Sequence, residues 1–226
     1  MKRTLLFLMS LLFVAAISCN KSRQCYSCDT DVDDFVIKNE KELSTISINK
    51  LAEYKPEIQR ATFRIYDEQQ KQNIWEEKFK YILKNNPNNY TNEELNAVKE
   101  VLNYAVEHGV EGDHSNFLNN WVLEVREKFL WGDDRIRFLI MSLEVNENHY
   151  FKNYNVINAS VKSDFCHCSR LNNGIIMKDC SSLEGDCKTQ GVQCQAKPQG
   201  CGYLFAERCD GKCSGLTVPD VIDPVE

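Results

Sequence analysis

Cysteine is the residue type in this chain whose number and spacing suggest the most chemistry. The 226 residues contain eleven cysteines, and none lies between Cys28 and Cys166. In an exported chain, such a density predicts disulfide bonds rather than free thiols. Ten cysteines remain apart from Cys19, an even number that is compatible with complete pairing. They allow so many combinations that their spacing does not determine which cysteines are bonded. They are Cys25, Cys28, Cys166, Cys168, Cys180, Cys187, Cys194, Cys201, Cys209 and Cys213.

The N-terminus predicts that the chain is exported. Two basic residues at positions 2 and 3 precede an apolar stretch, Leu5–Ile17, and small or apolar residues stand directly before Cys19. This is the anatomy of a secretory signal, and the apolar stretch is too short for a transmembrane helix. The position of Cys19 resembles the lipobox of bacterial lipoproteins, in which the cysteine thiol is acylated and becomes the new N-terminus. The alternative is plain secretion, with cleavage near Ala16.

Two of the cysteine patterns admit other chemistry. Cys25 and Cys28 have the spacing of a redox pair, but the βαβ setting that lowers such a thiol pKa is not suggested by the neighbouring sequence. Cys166-His167-Cys168 could contribute to a zinc site if other ligands lay nearby. In an oxidising compartment the disulfide interpretation is favoured for both patterns.

Histidines and carboxylates are concentrated in one loop between predicted helices. Glu107, His108, Glu111, Asp113 and His114 could together bind a cation or act in acid–base chemistry. A polar loop after a helix end is more often simply solvated. The chain contains no phosphate-binding loop, nucleophile elbow or zinc-protease helix, so the sequence predicts neither an enzyme nor a cofactor nor a metal.

The cysteine-free middle of the chain, residues 42–145, has helical periodicity. Pro56 suits a first helical turn, Asp67 can cap the next helix, and Thr91 with Glu94 predicts a capping box. Asn85 to Asn89 and the glycines at 109, 112 and 132 predict helix ends. Asp34 to Lys38 has a weak strand character. The predicted fold class is therefore mainly α, a small helical bundle followed by a small disulfide-rich C-terminal module.

These observations divide the chain into six parts. The predicted order is a lipoprotein signal peptide (1–18), an N-terminal tether (19–41), the helical domain (42–145), a polar linker (146–165), the disulfide-rich module (166–213) and a flexible tail (214–226). Because the module has few apolar residues, we expect it to depend on its disulfides, and the helical domain not to.

The module resembles the bacteriocin fulvocin C and its related proteins. The resemblance rests on Cys166-His167-Cys168-Ser169, on the spaced single cysteines, and on Pro198-Gln199-Gly200-Cys201-Gly202-Tyr203. The helical segments at 60–64, 67–71 and 74–78 look like those of longer members. The gap after Cys168 is longer here, and Cys209 and Cys213 are spread further apart. The resemblance implies an antibacterial eight-cysteine module behind a helical region.

Two functions from different classes follow. The first is a bacteriocin-like lipoprotein whose module inhibits other bacteria, with release by a protease as one route. The second is a non-catalytic lipoprotein of the cell envelope whose module binds a protein or envelope receptor. In both, the chain is held on the non-cytoplasmic side of a bacterial membrane by lipid on Cys19. Tyr203 and Phe205 form a candidate contact surface, with the module's own core as the alternative. The net charge of −6 argues against nucleic-acid binding.

Overall fold

Helices account for most of the described part of the chain. The structure, a computed structural model, describes residues 26–27, 30–157, 186–188, 197–209 and 212–214. The predicted fold class, mainly α with a small disulfide-containing region near the C-terminus, is confirmed. The helices are α1 (Thr30–Lys38), α2 (Glu40–Leu43), α3 (Ile48–Leu51), α4 (Pro56–Phe63), α5 (Glu68–Asn85), α6 (Asn92–His108), α7 (Ser115–Phe129), α8 (Asp133–Ile140) and α9 (Glu147–Ile157).

Local signals define the ends of the longest helices. The Asp67 carboxylate accepts a hydrogen bond from the Gln70 amide at 2.7 Å, and the Gln70 side chain accepts one from the Asp67 amide, which completes a capping box at the start of α5. Thr91 and Glu94 form the predicted capping box of α6. Each box satisfies amides that the first helical turn leaves unpaired. Gly109 ends α6 with a positive φ of 77°.

A single large core lies between these helices. Trp75, Phe79 and Ile82 of α5 are fully buried, as are Val101 of α6 and Leu118 of α7. Their spacing gives each helix one apolar face directed at its neighbours. Val106, which the sequence places on that face of α6, is instead about half exposed. None of the helices in the described ranges is long and apolar enough to cross a membrane.

Helices extend beyond both predicted limits of the helical domain. The strand character expected for Asp34 to Lys38 is wrong, because these residues lie in α1, where Val36 is fully buried in a second small apolar cluster. Most of the first part of the segment predicted as a linker, residues 146–165, is the helix α9. Tyr150 of α9 packs against Phe138 with ring centroids 5.7 Å apart. Burial of one aromatic face outweighs the polar composition of this segment.

The described strands are short and belong to the C-terminal part of the chain. β1 (Asp186–Lys188) pairs with β4 (Lys212–Ser214), and β2 (Lys197–Cys201) pairs with β3 (Glu207–Cys209), both antiparallel. A 3₁₀ turn, Tyr203–Phe205, connects β2 to β3. We call residues 197–209 the C-terminal hairpin. It packs against α4, so the hairpin is joined to the helices directly.

Candidate functional site

The C-terminal hairpin places three large apolar side chains in the interior of the protein. Tyr203, Leu204 and Phe205 are 1%, 0% and 2% exposed. The Phe205 ring lies edge-on to Phe63 of α4 and Trp75 of α5, with centroids 5.5 and 5.6 Å away. All three hairpin residues therefore belong to the main helical core rather than to a core of a separate module.

This placement corrects the predicted contact surface. Tyr203 and Phe205 cannot meet an outside partner in this conformation, because their rings are covered by helices. The Tyr203 hydroxyl donates a hydrogen bond of 2.8 Å to the Asn119 side chain of α7. Both side chains are buried, as a core role requires, and among the described residues the core that they join is that of the helical domain.

A disulfide and two glycines shape the hairpin. Cys201 and Cys209 are bonded to each other across the pair β2–β3, and both are buried. Gly200 has a φ of +107°, and a Cβ there would lie 2.8 Å from the Arg64 guanidinium. A Cβ at Gly202, with φ +67°, would collide with the Glu207 carboxylate. Glycine tolerates both the backbone conformation and the close approach.

Arg64 joins the hairpin to the N-terminal segment. Its Nε donates to the Gln199 carbonyl at 2.7 Å, and its Nη1 donates to the Tyr26 carbonyl at 2.6 Å. Nη2 lies 3.3 Å from the Cys209 sulfur. Tyr26 is held in turn, since its amide donates to the Asp33 carboxylate at 2.6 Å. One guanidinium thus contacts residues close in sequence to both cysteine-containing ends of the chain.

A second polar contact fixes the hairpin to α5. The Lys71 ammonium donates to Gln199 Oε1 at 2.6 Å and to Glu111 Oε1 at 2.7 Å, and Gln199 Nε2 donates to the same carboxylate oxygen at 3.0 Å. These hydrogen bonds and the Lys71 charge hold the pKa of Glu111 below its usual range. Lys71, Glu111 and Gln199 therefore form a closed triangle at the edge of the hairpin.

The histidine-rich loop does not assemble into the cation site considered from the sequence. Glu111 is engaged by Lys71, and the Asp113 carboxylate accepts a hydrogen bond from the Ser115 amide at 2.9 Å. His108 is exposed and stacks on Tyr104, whereas His114 is 5% exposed and burial lowers its pKa. No group of three or more histidine, cysteine or acidic residues in the described ranges is placed to hold a metal ion.

Most of the predicted cysteine sites fall outside what the structure describes. Cys19, Cys25, Cys28, Cys166, Cys168, Cys180 and Cys194 lie outside the described residues. The backbone of Cys187 in β1 lies opposite that of Cys213 in β4. For Cys201 and Cys209, the structure supplies the pairing that the sequence left open.

A cleft opens where α4, α8, α9 and the hairpin meet. Its cavity volume is about 20 Å³, which is room for about one water molecule. Phe205 forms one wall, so the hairpin contributes directly to the shape of the cleft. The lining residues are Pro56, Gln59, Arg60, Arg137, Met141, Ser142, Tyr150 and Phe205.

A buried lysine lies beside the cleft, at the C-terminal end of α8. Lys78 is fully buried, and its ammonium donates to the carbonyl oxygens of Phe138, Leu139 and Ser142 at 2.5, 2.9 and 2.5 Å. Burial lowers the pKa of Lys78 well below its usual range, while the nearby Glu144 carboxylate opposes this. Three carbonyl acceptors require three N–H donors, which the ammonium form supplies and the neutral amine does not. Lys78 therefore caps the helix and is poorly suited to act as a nucleophile.

Glu144 completes this buried polar group. Glu144 is 2% exposed. One of its carboxylate oxygens accepts a hydrogen bond from Gln59 Nε2 at 3.2 Å, and the other lies 2.9 Å from His149 Nδ1. Burial raises the pKa of Glu144, and its contacts with His149, Gln59 and Lys78 oppose the rise. Ionisable groups with perturbed pKa values beside a cleft are a frequent property of functional sites.

Of the residues that line the cleft, only Phe205 was proposed from the sequence as a site residue, and it was placed on a contact surface. Lys78 did carry a signal, because it lies on the apolar stripe of α5 between Trp75 and Phe79, where a charged residue needs a buried partner. Glu144 carried none, since the side chains that contact it, Gln59 and His149, come from other elements.

The chain was compared with known proteins at three levels. No protein-family model, no curated protein and no solved structure matches it. The resemblance to fulvocin C-related proteins therefore stays a prediction that rests on the cysteine and glycine motifs.

Proposed function

We propose that this chain is an exported lipoprotein of the cell envelope, lipid-anchored through Cys19, which binds a partner or ligand without catalysing a reaction. The observation that most supports binding over a released toxin module is the insertion of Phe205 into the helical core. A toxin module that acts after release must fold without the helices. A hairpin whose apolar residues complete the helical core favours instead a protein in which hairpin and helices fold and bind as one unit.

The chemistry of the buried ionisable groups supports a binding role over catalysis. The Lys78 ammonium is surrounded by carbonyl oxygens, and the Glu144 carboxylate is held by Gln59 and His149. Groups that are fully engaged by the protein stabilise a fixed shape. A nucleophile or general base needs instead to reach a substrate atom.

The anchor is tested by cell fractionation of the full chain. Cys19→Ser should move the protein from the membrane fraction to the soluble fraction and remove the mass of the attached lipid. Cys25→Ser is the matched control, because it removes a neighbouring cysteine and should leave the protein in the membrane fraction. If Cys19→Ser remains membrane-bound, the proposed anchor is wrong.

The binding role is separated from antibacterial action by a growth-inhibition assay. The oxidised full chain carrying Cys19→Ser, applied to a broad panel of bacteria, should inhibit none of them. Inhibition of any strain by this protein, lost on substitution within the hairpin, would favour the bacteriocin function and overturn the binding role.

A further inference from the structure

The chain is fixed to the folded body at Tyr26, close to the proposed lipid anchor. The Tyr26 amide donates to the Asp33 carboxylate at 2.6 Å, and the Ser27 amide donates to the same oxygen at 3.1 Å. The Tyr26 carbonyl accepts a hydrogen bond from Arg64 at 2.6 Å, and its ring is buried in the small apolar cluster that contains Val36. The folded body therefore begins at Tyr26, within the segment 19–41 that the sequence predicts as a tether.

Little chain separates this point from Cys19. Tyr26 follows Cys19 by seven positions in the sequence. A fully extended chain spans at most about 3.6 Å per residue, so Tyr26 lies within about 25 Å of Cys19 whatever the conformation of the residues between them. Because acyl chains insert into the hydrocarbon layer, an acylated Cys19 lies at the level of the lipid headgroups. The proposed anchor would thus hold the body close to the membrane surface.

Tyr26 lies at one end of the helical bundle, together with part of the C-terminal hairpin. Arg64 donates both to the Tyr26 carbonyl and to the Gln199 carbonyl. The Gln199 side chain contacts Lys71, near the start of α5, and Glu111, which follows the end of α6. We call this end of the molecule, defined by these five residues, the anchor end.

The opposite end of the bundle carries Leu130 and Trp131. Trp131 Nε1 donates at 2.8 Å to Glu94, in the first turn of α6. Because Lys71 near the start of α5 pairs with Glu111 beyond the end of α6, the two helices run in opposite directions, and α6 begins where α5 ends. The 18 residues of α5 extend over about 27 Å. Leu130 and Trp131 therefore lie about one helix length from the anchor end, and we call them the far end.

The length of chain and the charge of the protein both restrict how the body can lie on a membrane. An inverted orientation would require the chain to run from Tyr26 along the whole bundle and around its far end. That path is longer than the helix length of about 27 Å, whereas seven residues reach only about 25 Å. The net charge of −6 means that anionic headgroups repel the body as a whole, which opposes a flat orientation.

We propose that the anchor end, with the Gln199 side of the C-terminal hairpin, faces the headgroups of the membrane that carries the lipid, and that the far end at Leu130 points away from it. This inference rests on the proposed anchor at Cys19. It deepens the proposed binding function, because a hairpin in this position meets components of its own membrane rather than the surface of another cell. Leu130, which is 86% exposed, is turned toward the aqueous side.

The test measures resonance energy transfer from the acylated full chain to acceptor-labelled lipids in vesicles of phosphatidylethanolamine and phosphatidylglycerol. A donor dye is attached through an azide-bearing amino acid that replaces Lys41 in one variant and Leu130 in the other. Both positions are exposed, and Lys41 follows Glu40, whose carboxylate accepts a hydrogen bond from the Tyr26 hydroxyl. We expect transfer from position 41 to be at least about twofold more efficient, because about one helix length separates the two ends. Equal transfer, or more efficient transfer from position 130, would overturn the proposal.

A longer connection to Cys19 is the matched control. Insertion of about twenty Gly and Ser residues between Arg23 and Gln24 leaves the body unchanged and extends the reach of the chain to about 95 Å. The difference in transfer between positions 41 and 130 should then fall by at least about half, since the chain no longer restricts the orientation. An undiminished difference would show that the short connection does not set the orientation, and would overturn the proposal.

Sedimentation of the vesicles separates failure of the orientation from failure of the anchor. If the orientation alone is wrong, both labelled variants sediment with the vesicles and show equal transfer. If the anchor is wrong, neither variant sediments and neither shows transfer, which overturns the proposed anchor and the orientation together. Cys19→Ser carrying the dye at position 41 gives the transfer expected of unbound protein.

Discussion

The long helices and the C-terminal hairpin are held in place by different kinds of interaction. The first turns of α5 and α6 are capped by residues three positions apart in the sequence. The hairpin is instead held by contacts of Phe205, Gln199 and Cys209 with helices far away in the chain. Local interactions specify the helices, and tertiary packing specifies the hairpin. The hairpin also has an unfavourable local conformation, since Leu204 and Phe205 have φ values of 53° and 59°.

Among the changes considered, removal of the Phe205 ring should lower the free energy of unfolding of the helices most. Phe205→Ala deletes a buried aromatic side chain, and such changes cost about 3–5 kcal/mol. Because the ring packs on Trp75, we expect the loss to appear in urea unfolding followed by helical circular dichroism. An unchanged helical transition would show that the hairpin is independent of the helices. Leu130→Ala, at a side chain that is 86% exposed, is the matched control and should change stability by less than about 0.5 kcal/mol.

Loss of the Cys201–Cys209 disulfide should have the next largest effect. The double substitution to Ser opens a loop of sequence separation 8, for which chain entropy predicts a loss of about 2–3 kcal/mol. The sequence predicted that reduction would leave the helices nearly unaffected, but the shared core predicts that their unfolding midpoint will fall as well. Thermal unfolding at 222 nm provides the measurement. An unchanged unfolding midpoint of the helices would show that the helices and the C-terminal hairpin are independent of each other.

The Lys71–Gln199 contact should contribute less. In a double-mutant cycle of Lys71→Met and Gln199→Leu, we expect a coupling free energy of about 1–2 kcal/mol, because the ammonium is mostly buried and its hydrogen bonds are short. The cycle is read from chemical denaturation of the four proteins. Additive effects would show that this triangle does not hold the hairpin. Lys50→Met, at a well-exposed ion pair with Glu42, is a control expected to have little effect.

The smallest expected effect is a change in pH dependence. Burial places the folded-state pKa of Glu144 above its ordinary value of 4.5. Between these two values the folded chain binds more protons than the unfolded chain, so Glu144 makes stability fall as pH rises through that window. Glu144→Gln removes this contribution, and the variant should therefore gain stability relative to wild type as pH rises from 4.5 toward the raised folded-state pKa. Urea unfolding at several pH values tests this, with Glu53→Gln as a control for the loss of one exposed carboxylate. A difference in unfolding free energy between wild type and Glu144→Gln that stays constant with pH would contradict this prediction.

The same contrast explains what could be predicted from the sequence. The ends of α5 and α6 could be predicted because Asp67, Thr91 and Gly109 act on their immediate neighbours. The position of the hairpin could not, because the partners of Phe205 are more than a hundred residues away and no pattern in the sequence names them. The cleft has the same origin, since it exists only once four separate segments have come together.

The contacts of Arg64 and Lys71 with the C-terminal hairpin join residues separated by 128 to 145 positions. A chain that is synthesised from its N-terminus completes all of the described helices before these contacts can form. Until then the apolar surface around Trp75 lacks Phe205, and folding intermediates are correspondingly less stable. Under the proposed export, this order would delay the last step of folding until the C-terminal cysteines reach the compartment that oxidises them.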